Sequence, residues 1–275
     1  MFGIHILIIN FHSIKFLKGE EKAANQLFKI FRTAIDKGML DGAPNINHHY
    51  YLTVVKLALG LGESKWAIEF VEKYAPLISS AYKQEVERYV RCLVMYEQNN
   101  VKDYSSIRSE IQEASSDRYF DVRYRILDIQ ILYELSIKNI DYENILKSKL
   151  GNFNDMLSSQ KLIDTKKVTV LANQNFIKII KKLILVKYRK NINVASIQKL
   201  IDSPKTKHIT ERLWLQRQLT AFCVFRELQL NLQILFSFHD QNSSLLDNPN
   251  LDTYLDIIEC FEITYLLVLL LHLFL

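Results

Sequence analysis

The sequence predicts an all-α fold: a right-handed α-solenoid of antiparallel helix pairs with an irregular helical tail at its C-terminus. Glycine (7) and proline (4) are scarce in 275 residues, whereas small β-proteins and parallel α/β proteins need many turn residues. Apolar residues recur at helical spacing along most of the chain. Turn signals at Gly62, Asn99 and Ser136 are each 37 residues apart, a spacing typical of two-helix repeats.

The clearest helix pair is predicted at residues 47–76. We expect Gly62 to end the first helix in the left-handed conformation, because glycine has no Cβ, and Pro76 to close the second. Ala67 is predicted at the helix crossing, where a small side chain lets the axes approach to ~8–10 Å, and Trp66 covers the next pair. The apolar faces consist of Tyr51, Val54, Val55, Ala58 and Leu61, then Ala67, Phe70, Val71 and Tyr74.

Two further pairs follow the same pattern. Residues 80–97 and 104–114 are predicted to form one pair, with a turn at Asn99 and with Ser105 at the crossing. Residues 117–135 and 145–157 form the next, with a turn from Ser136 to Asn139 and with Ile145 among the apolar residues of the return helix. A hairpin is also expected upstream, with a first helix that starts almost at Met1 and lacks the polar outer face of a terminal repeat, so we expect the array to be truncated at its N-terminus.

The stretch GESKWAIEFVEKYAP (residues 62–76) resembles the turn and second helix of a tetratricopeptide repeat. The matching residues are Gly62, Ala67, Phe70 and Pro76, whereas Tyr74 stands where that motif prefers alanine. Residues 10–219 also resemble uncharacterised bacterial proteins built of such helices. The resemblance implies a degenerate tetratricopeptide-like array in which the repeats pack through Gly62, Trp66, Ala67 and Phe70.

The C-terminal part departs from the repeat pattern. We predict an array at residues 1–222 and an atypical helical tail at 223–275, with a polar loop at 239–253. The last 13 residues carry no charge, but a membrane-spanning helix needs about 20 apolar residues, so we expect no membrane anchor. We expect the tail to be helical and to pack on the basic hairpin at 161–217.

Residues that would carry catalysis or hold a metal are not evident. The chain has no GxSxG, Walker A, HExxH or GxGxxG motif, so we expect no enzyme, no catalytic residue, no metal and no cofactor. His48 and His49 are adjacent and should not share one helix face, and Cys92 is predicted to be a buried apolar residue. The three cysteines form no CxxC pair, and residues 2–9 lack the pattern of a signal peptide, which favours the cytoplasm.

The basic residues are concentrated in one region. Residues 151–222 carry 14 Lys and Arg against 4 Asp and Glu, within a total formal charge of +5. A helix predicted at about 161–190 places five of them on one face, a stripe about 33 Å long: Lys167, Lys178, Lys181, Lys182 and Arg189. Its buried side is predicted to be Phe176, Ile179, Ile180, Leu183 and Val186.

These patterns predict a non-enzymatic scaffold or adaptor that binds a segment of another protein, or a peptide, in the groove of a helical-repeat array. An acidic partner is expected at the basic face. The alternative is an RNA-binding helical repeat protein that uses the basic hairpin at 161–217. Few aromatic residues on this face and no recurrent pair of base-reading positions make nucleic acid the second choice.

Overall fold

The structure, a computed structural model, describes residues 21–98, 104–112, 117–159, 167–188, 194–202 and 209–224. Within these ranges the chain forms ten α-helices, one 3₁₀ turn (Ala75–Leu77) and no strand, so the all-α prediction is confirmed. The helices are α1 (Glu21–Asp36), α2 (His48–Gly60), α3 (Ser64–Tyr74), α4 (Ser80–Gln98), α5 (Tyr104–Gln112), α6 (Arg118–Lys138), α7 (Asp141–Ser158), α8 (Lys167–Tyr188), α9 (Val194–Asp202) and α10 (212–224).

Gly62 ends α2 as predicted. It has a φ of +80°, in the left-handed region that costs an L-residue free energy. Its N–H donates to the carbonyl of Leu59 at 3.0 Å, and the N–H of Glu63 donates to the carbonyl of Ala58 at 2.9 Å. These two hydrogen bonds form a Schellman motif, which stops α2 and lets α3 fold back on it.

Ala67, predicted at the crossing of α2 and α3, is fully buried, with an exposed fraction of 0%. Phe70 is buried beside it, and Trp66 stacks on Phe70 with ring centroids 5.4 Å apart. Trp66 also meets Phe28 of α1 edge to face at 5.1 Å. The indole of Trp66, which was predicted to cover the next pair, therefore links this pair to the helix before it.

Packing follows the order of the chain. Each helix from α1 to α8 packs against the next one, and α4 also packs against both α2 and α6. Helices that alternate along the sequence therefore touch as well as consecutive ones. Between helix pairs, the backbone N–H of Ile46 donates to the carbonyl of Leu77 at 2.8 Å, which ties the segment before α2 to the end of α3.

Three local predictions are wrong. Ser136 does not begin a turn; it is buried inside α6, where its hydroxyl donates to the carbonyl of Tyr133 at 2.7 Å, and the turn lies at Asn139 and Ile140. A serine hydroxyl that donates to a carbonyl of its own helix is already hydrogen-bonded, so the helix can continue through it. Ser105 is exposed rather than at a crossing, and Ile145, predicted on the packed side of α7, is 41% exposed.

The chain divides into two compact units, Met1–Trp214 and Leu215–Leu275. In the second unit the described residues, 215–224, are helical. The predicted boundary at 222/223 stays a prediction. The predicted turn at Asn99, the first helix of the N-terminal hairpin, the loop at 239–253 and the tail at 254–275 lie outside the described residues.

Candidate functional site

The predicted basic helix is α8, and its buried side is as the sequence indicated. Its five predicted core residues are all 2% exposed or less: Phe176, Ile179, Ile180, Leu183 and Val186. Asn173 is also buried, and its side-chain oxygen accepts a hydrogen bond from the hydroxyl of Thr210 at 2.5 Å. The packed side of α8 therefore fixes which residues face outward.

Three of the predicted basic residues are on the outward side. Lys178 and Lys181 are exposed, and Lys182 is partly exposed. Lys167 is the first residue of α8, and Arg189 lies outside the described residues. The helical periodicity therefore places the three central lysines together, within about one turn, on a surface that solvent reaches.

Two leucines share this outward surface, and sequence reasoning did not assign them. Leu171 is 44% exposed and Leu185 is 46% exposed. They stand 14 residues apart with Lys178 midway, so they lie about 21 Å from each other along the helix. We name the outward surface formed by Leu171, Lys178, Lys181, Lys182 and Leu185 the α8 face. The signal that could have found the leucines is their spacing of seven from Lys178.

The charge of the α8 face is unbalanced. The 22 residues of α8 include five lysines and no Asp or Glu. Within the described part of the chain, Lys178, Lys181 and Lys182 form no ion pair, unlike many cations of α4 to α7. The paired ones include Arg88, Arg91, Arg108, Arg125, Lys147 and Lys149. Neighbouring like charges repel, so an acidic group placed here would be bound favourably.

A second group of polar residues is buried and already satisfied. The hydroxyls of Tyr96 and Tyr104 both donate to the carboxylate of Glu134. The indole N–H of Trp214 donates to the Tyr96 hydroxyl at 2.8 Å and lies 3.3 Å from Glu134 Oε1. Burial, and then the nearby Glu134 carboxylate, raise the pKa of Tyr104. These groups bind one another, so they hold α4, α5 and α6 to Trp214.

The residues just before Trp214 reach other helices in the same way. Glu211 pairs with Lys56 of α2, and the guanidinium of Arg212 donates to the carbonyl of Ile201 in α9 at 2.7 Å. The rings of Tyr133 and Phe176 lie 5.5 and 6.2 Å from the Trp214 ring. Residues 209–214, here named the Trp214 segment, therefore contact α2, α4, α6, α8 and α9.

The two histidines form part of an aromatic cluster. The His48 ring stacks on Tyr82 with centroids 4.1 Å apart, and the His49 ring meets Tyr119 edge to face at 4.4 Å. The His48 and His49 rings are themselves 4.1 Å apart, so these neighbours touch although they are adjacent on the helix. Burial lowers the pKa of both imidazoles, and the positive charge of Arg123 adds to that shift.

Cys92 is buried, as predicted, with an exposed fraction of 0%. Burial, followed by the charge of Glu110 nearby, raises the pKa of its thiol to about 12. A thiol with that pKa stays protonated at neutral pH and is a poor nucleophile. In the described residues, no group of three or more His, Cys, Asp and Glu side chains is placed to hold a metal ion.

Comparison with known proteins adds no assignment. None of the helices in the described ranges combines the length and apolarity needed to cross a bilayer. No family model, no curated protein and no solved structure matches this chain.

Proposed function

We propose that the protein is a non-enzymatic, tetratricopeptide-like scaffold that binds an acidic segment of another protein on the α8 face. The observation that carries this proposal is the row of three unpaired lysines between two exposed leucines. The Schellman turn at Gly62 and the buried Ala67 support the repeat-like character of the array. Cys92 and Cys223 are both thiols rather than halves of a disulfide, which favours a cytoplasmic location.

The lysines favour an acidic partner for an electrostatic reason. A cluster of like charges without local counter-ions raises the local concentration of oppositely charged ligands and speeds association. Each carboxylate that docks on Lys178, Lys181 or Lys182 relieves repulsion instead of breaking an existing ion pair. The free energy gained is therefore not offset by the loss of an internal contact.

The leucines favour a protein over a nucleic acid. Leu171 and Leu185 offer apolar area at both ends of the basic row, and protein interfaces combine apolar area with a charged rim. Binding of single-stranded nucleic acid normally uses aromatic rings for stacking, and the α8 face has none. RNA binding is the alternative outcome of the experiment that follows.

The proposal is tested by comparing two charge reversals of equal size. One variant carries Lys178→Glu, Lys181→Glu and Lys182→Glu; the control carries Lys29→Glu, Lys37→Glu and Lys65→Glu, three exposed lysines outside α8. Each protein is immobilised and incubated with cell lysate, and retained material is measured with and without nuclease. We expect wild type and control to retain a nuclease-resistant protein that the α8 variant loses.

Two results would count against the proposal. Equal retention by the α8 variant would show that the α8 face is not the binding site. Retention that nuclease abolishes, with log affinity falling linearly against log salt concentration, would replace the protein partner with RNA. A further variant, Leu171→Ser with Leu185→Ser, should weaken protein binding while leaving the helix content unchanged.

A further inference from the structure

A cavity separate from the α8 face lies between α5, α6 and α7. Its volume is about 210 Å³, many times the roughly 10–15 Å³ that one water molecule needs on the same measure. Pockets for drug-sized ligands start at roughly 300 Å³, so this cavity has the size of a small metabolite. Its lining consists of Ile111, Asp121, Tyr124, Arg125, Asp128, Ile129 and Lys149.

The cavity has charged groups of both signs in equal number. Asp121 and Asp128 supply two carboxylates, and Arg125 and Lys149 supply two cations. The lining is therefore formally neutral. A ligand with one net charge would unbalance it, whereas a zwitterion would leave it neutral and find a partner for each of its own charges.

Asp128 is held in place by two cations. Its side chain is 9% exposed, and its two oxygens are both occupied: Oδ1 accepts from Arg108 Nε at 2.8 Å, and Oδ2 lies 3.2 Å from Lys149 Nζ. A buried carboxylate held by two cations is costly to disturb. Asp128 therefore positions the Lys149 ammonium at the cavity, and that ammonium has three donors, of which Asp128 needs one.

Arg125, which also lines the cavity, has unused hydrogen-bonding capacity. Its Nε donates to both oxygens of Asp121, at 3.1 and 3.0 Å. Within the described residues, the two terminal nitrogens of its guanidinium have no protein acceptor, and the side chain is 41% exposed. A guanidinium fork with free terminal donors is suited to a carboxylate. Asp121 keeps lone pairs for one more donor, since a carboxylate offers about four acceptor sites.

We propose that this cavity binds a free α-amino acid with an apolar side chain. The ligand's carboxylate binds the terminal nitrogens of Arg125 and the Lys149 ammonium. The ligand's ammonium binds the remaining acceptor sites of Asp121. Its side chain packs on the apolar part of the lining, which is formed by Ile111, Tyr124 and Ile129.

Isothermal titration calorimetry on the full chain tests the assignment with three probes of similar shape: L-phenylalanine, 3-phenylpropionate and 2-phenylethylamine. We expect L-phenylalanine to bind, and the two singly charged probes to bind at least about tenfold more weakly, because each leaves one sign of the lining unpartnered. No heat of binding with L-phenylalanine or L-leucine up to about 10 mM would overturn the proposal. If either singly charged probe bound as tightly as L-phenylalanine, the assignment of a zwitterionic ligand would be overturned.

Matched variants then locate the site. Arg125→Gln should weaken L-phenylalanine binding at least about tenfold, and Lys149→Gln, at a side chain that is 44% exposed, should weaken it in the same direction. The control is Arg91→Gln, which removes another arginine–carboxylate pair, with Glu110 at 3.1 Å, outside the cavity. Circular dichroism checks that each variant is folded. Unchanged affinity in both cavity variants, or an equal loss in the control, would place the ligand elsewhere.

Discussion

The indole N–H of Trp214 donates a hydrogen bond to the hydroxyl of Tyr96, 118 residues earlier in the chain, with an N···O distance of 2.8 Å. Tyr96 in turn donates to Glu134. In an ideal repeat array each repeat contacts its nearest neighbours alone, and this bond departs from that rule. Trp214 thus contributes to the stability of helices that are distant from it in sequence.

The first prediction concerns this indole. Trp214→Phe removes the N–H that Tyr96 and Glu134 share and leaves a void where the second ring was. We expect the free energy of unfolding to fall by about 2–4 kcal/mol, measured by urea denaturation. The control is Trp66→Phe: Trp66 is partly exposed and donates no hydrogen bond within the part of the chain that the structure describes, so this variant should lose less stability. Equal losses in the two variants would contradict this account of Trp214.

The second prediction compares two glycines. Gly62→Ala forces an alanine to a φ of +80° and should destabilise the fold by about 1–2 kcal/mol. Gly151→Ala lies within α7, where an added Cβ meets nothing within 4 Å, and should stabilise it by about 0.5–1 kcal/mol. Thermal melts should show a lower melting temperature for the Gly62 variant and a higher one for the Gly151 variant than for wild type. A Gly62 variant as stable as wild type would show that the turn tolerates another conformation.

The third prediction concerns the crossing of α2 and α3. Ala67→Leu adds three carbon atoms at a position whose exposed fraction is 0%, so overpacking should cost about 1–3 kcal/mol. The matched control is Ala81→Leu, at an exposed position of α4, which should change stability by less than about 0.5 kcal/mol. Urea denaturation distinguishes the two variants. An unfolding midpoint for Ala67→Leu equal to that of wild type would show that α2 and α3 do not cross closely at this position.

The fourth prediction is a pH dependence from His48 and His49. The pKa of each lies below the ordinary value of 6.5 in the folded protein, so the unfolded chain binds these two protons more tightly. The contribution of the two neutral imidazoles to the free energy of unfolding is therefore fully present above pH 6.5. It is lost as the pH falls from there through the folded pKa values. Urea denaturation at about pH 8 and about pH 5.5 measures the loss.

A double variant provides the control for this pH dependence. Carboxylates elsewhere in the chain also titrate at low pH, so the contribution of the histidines is the difference between proteins. His48→Gln with His49→Gln should show a smaller drop in stability between the two pH values than wild type does. An equal drop in both proteins would assign the pH dependence to other groups.

Local pattern was enough to predict most of the helices and many of their buried residues. The turn at Gly62, the burial of Ala67 and the core residues of α8 each depend on a few neighbouring residues, and the structure shows all three. The error at Ser136 has a local cause as well. Serine favours turns on average, but here its hydroxyl is satisfied within the helix, and the helix continues.

The exposed leucines and the Trp214 segment could not be predicted in the same way. Leucine is a strong helix former and is found on both buried and exposed positions, so its presence at 171 and 185 does not reveal which side it occupies. The contact of Trp214 with Tyr96 joins residues more than a hundred positions apart. Helical periodicity reports which side of one helix is apolar and contains no information on distant partners.

The distance in sequence between Glu134 and Trp214 has a consequence during protein synthesis. The two residues are 80 positions apart, and a ribosome adds about 5–20 residues per second. For roughly 4–16 s after Glu134 is made, the nascent chain has this carboxylate and its two tyrosines without the indole that completes their hydrogen bonds. Helices α4 to α6 can form in that interval, but their final packing must wait for translation to reach Trp214.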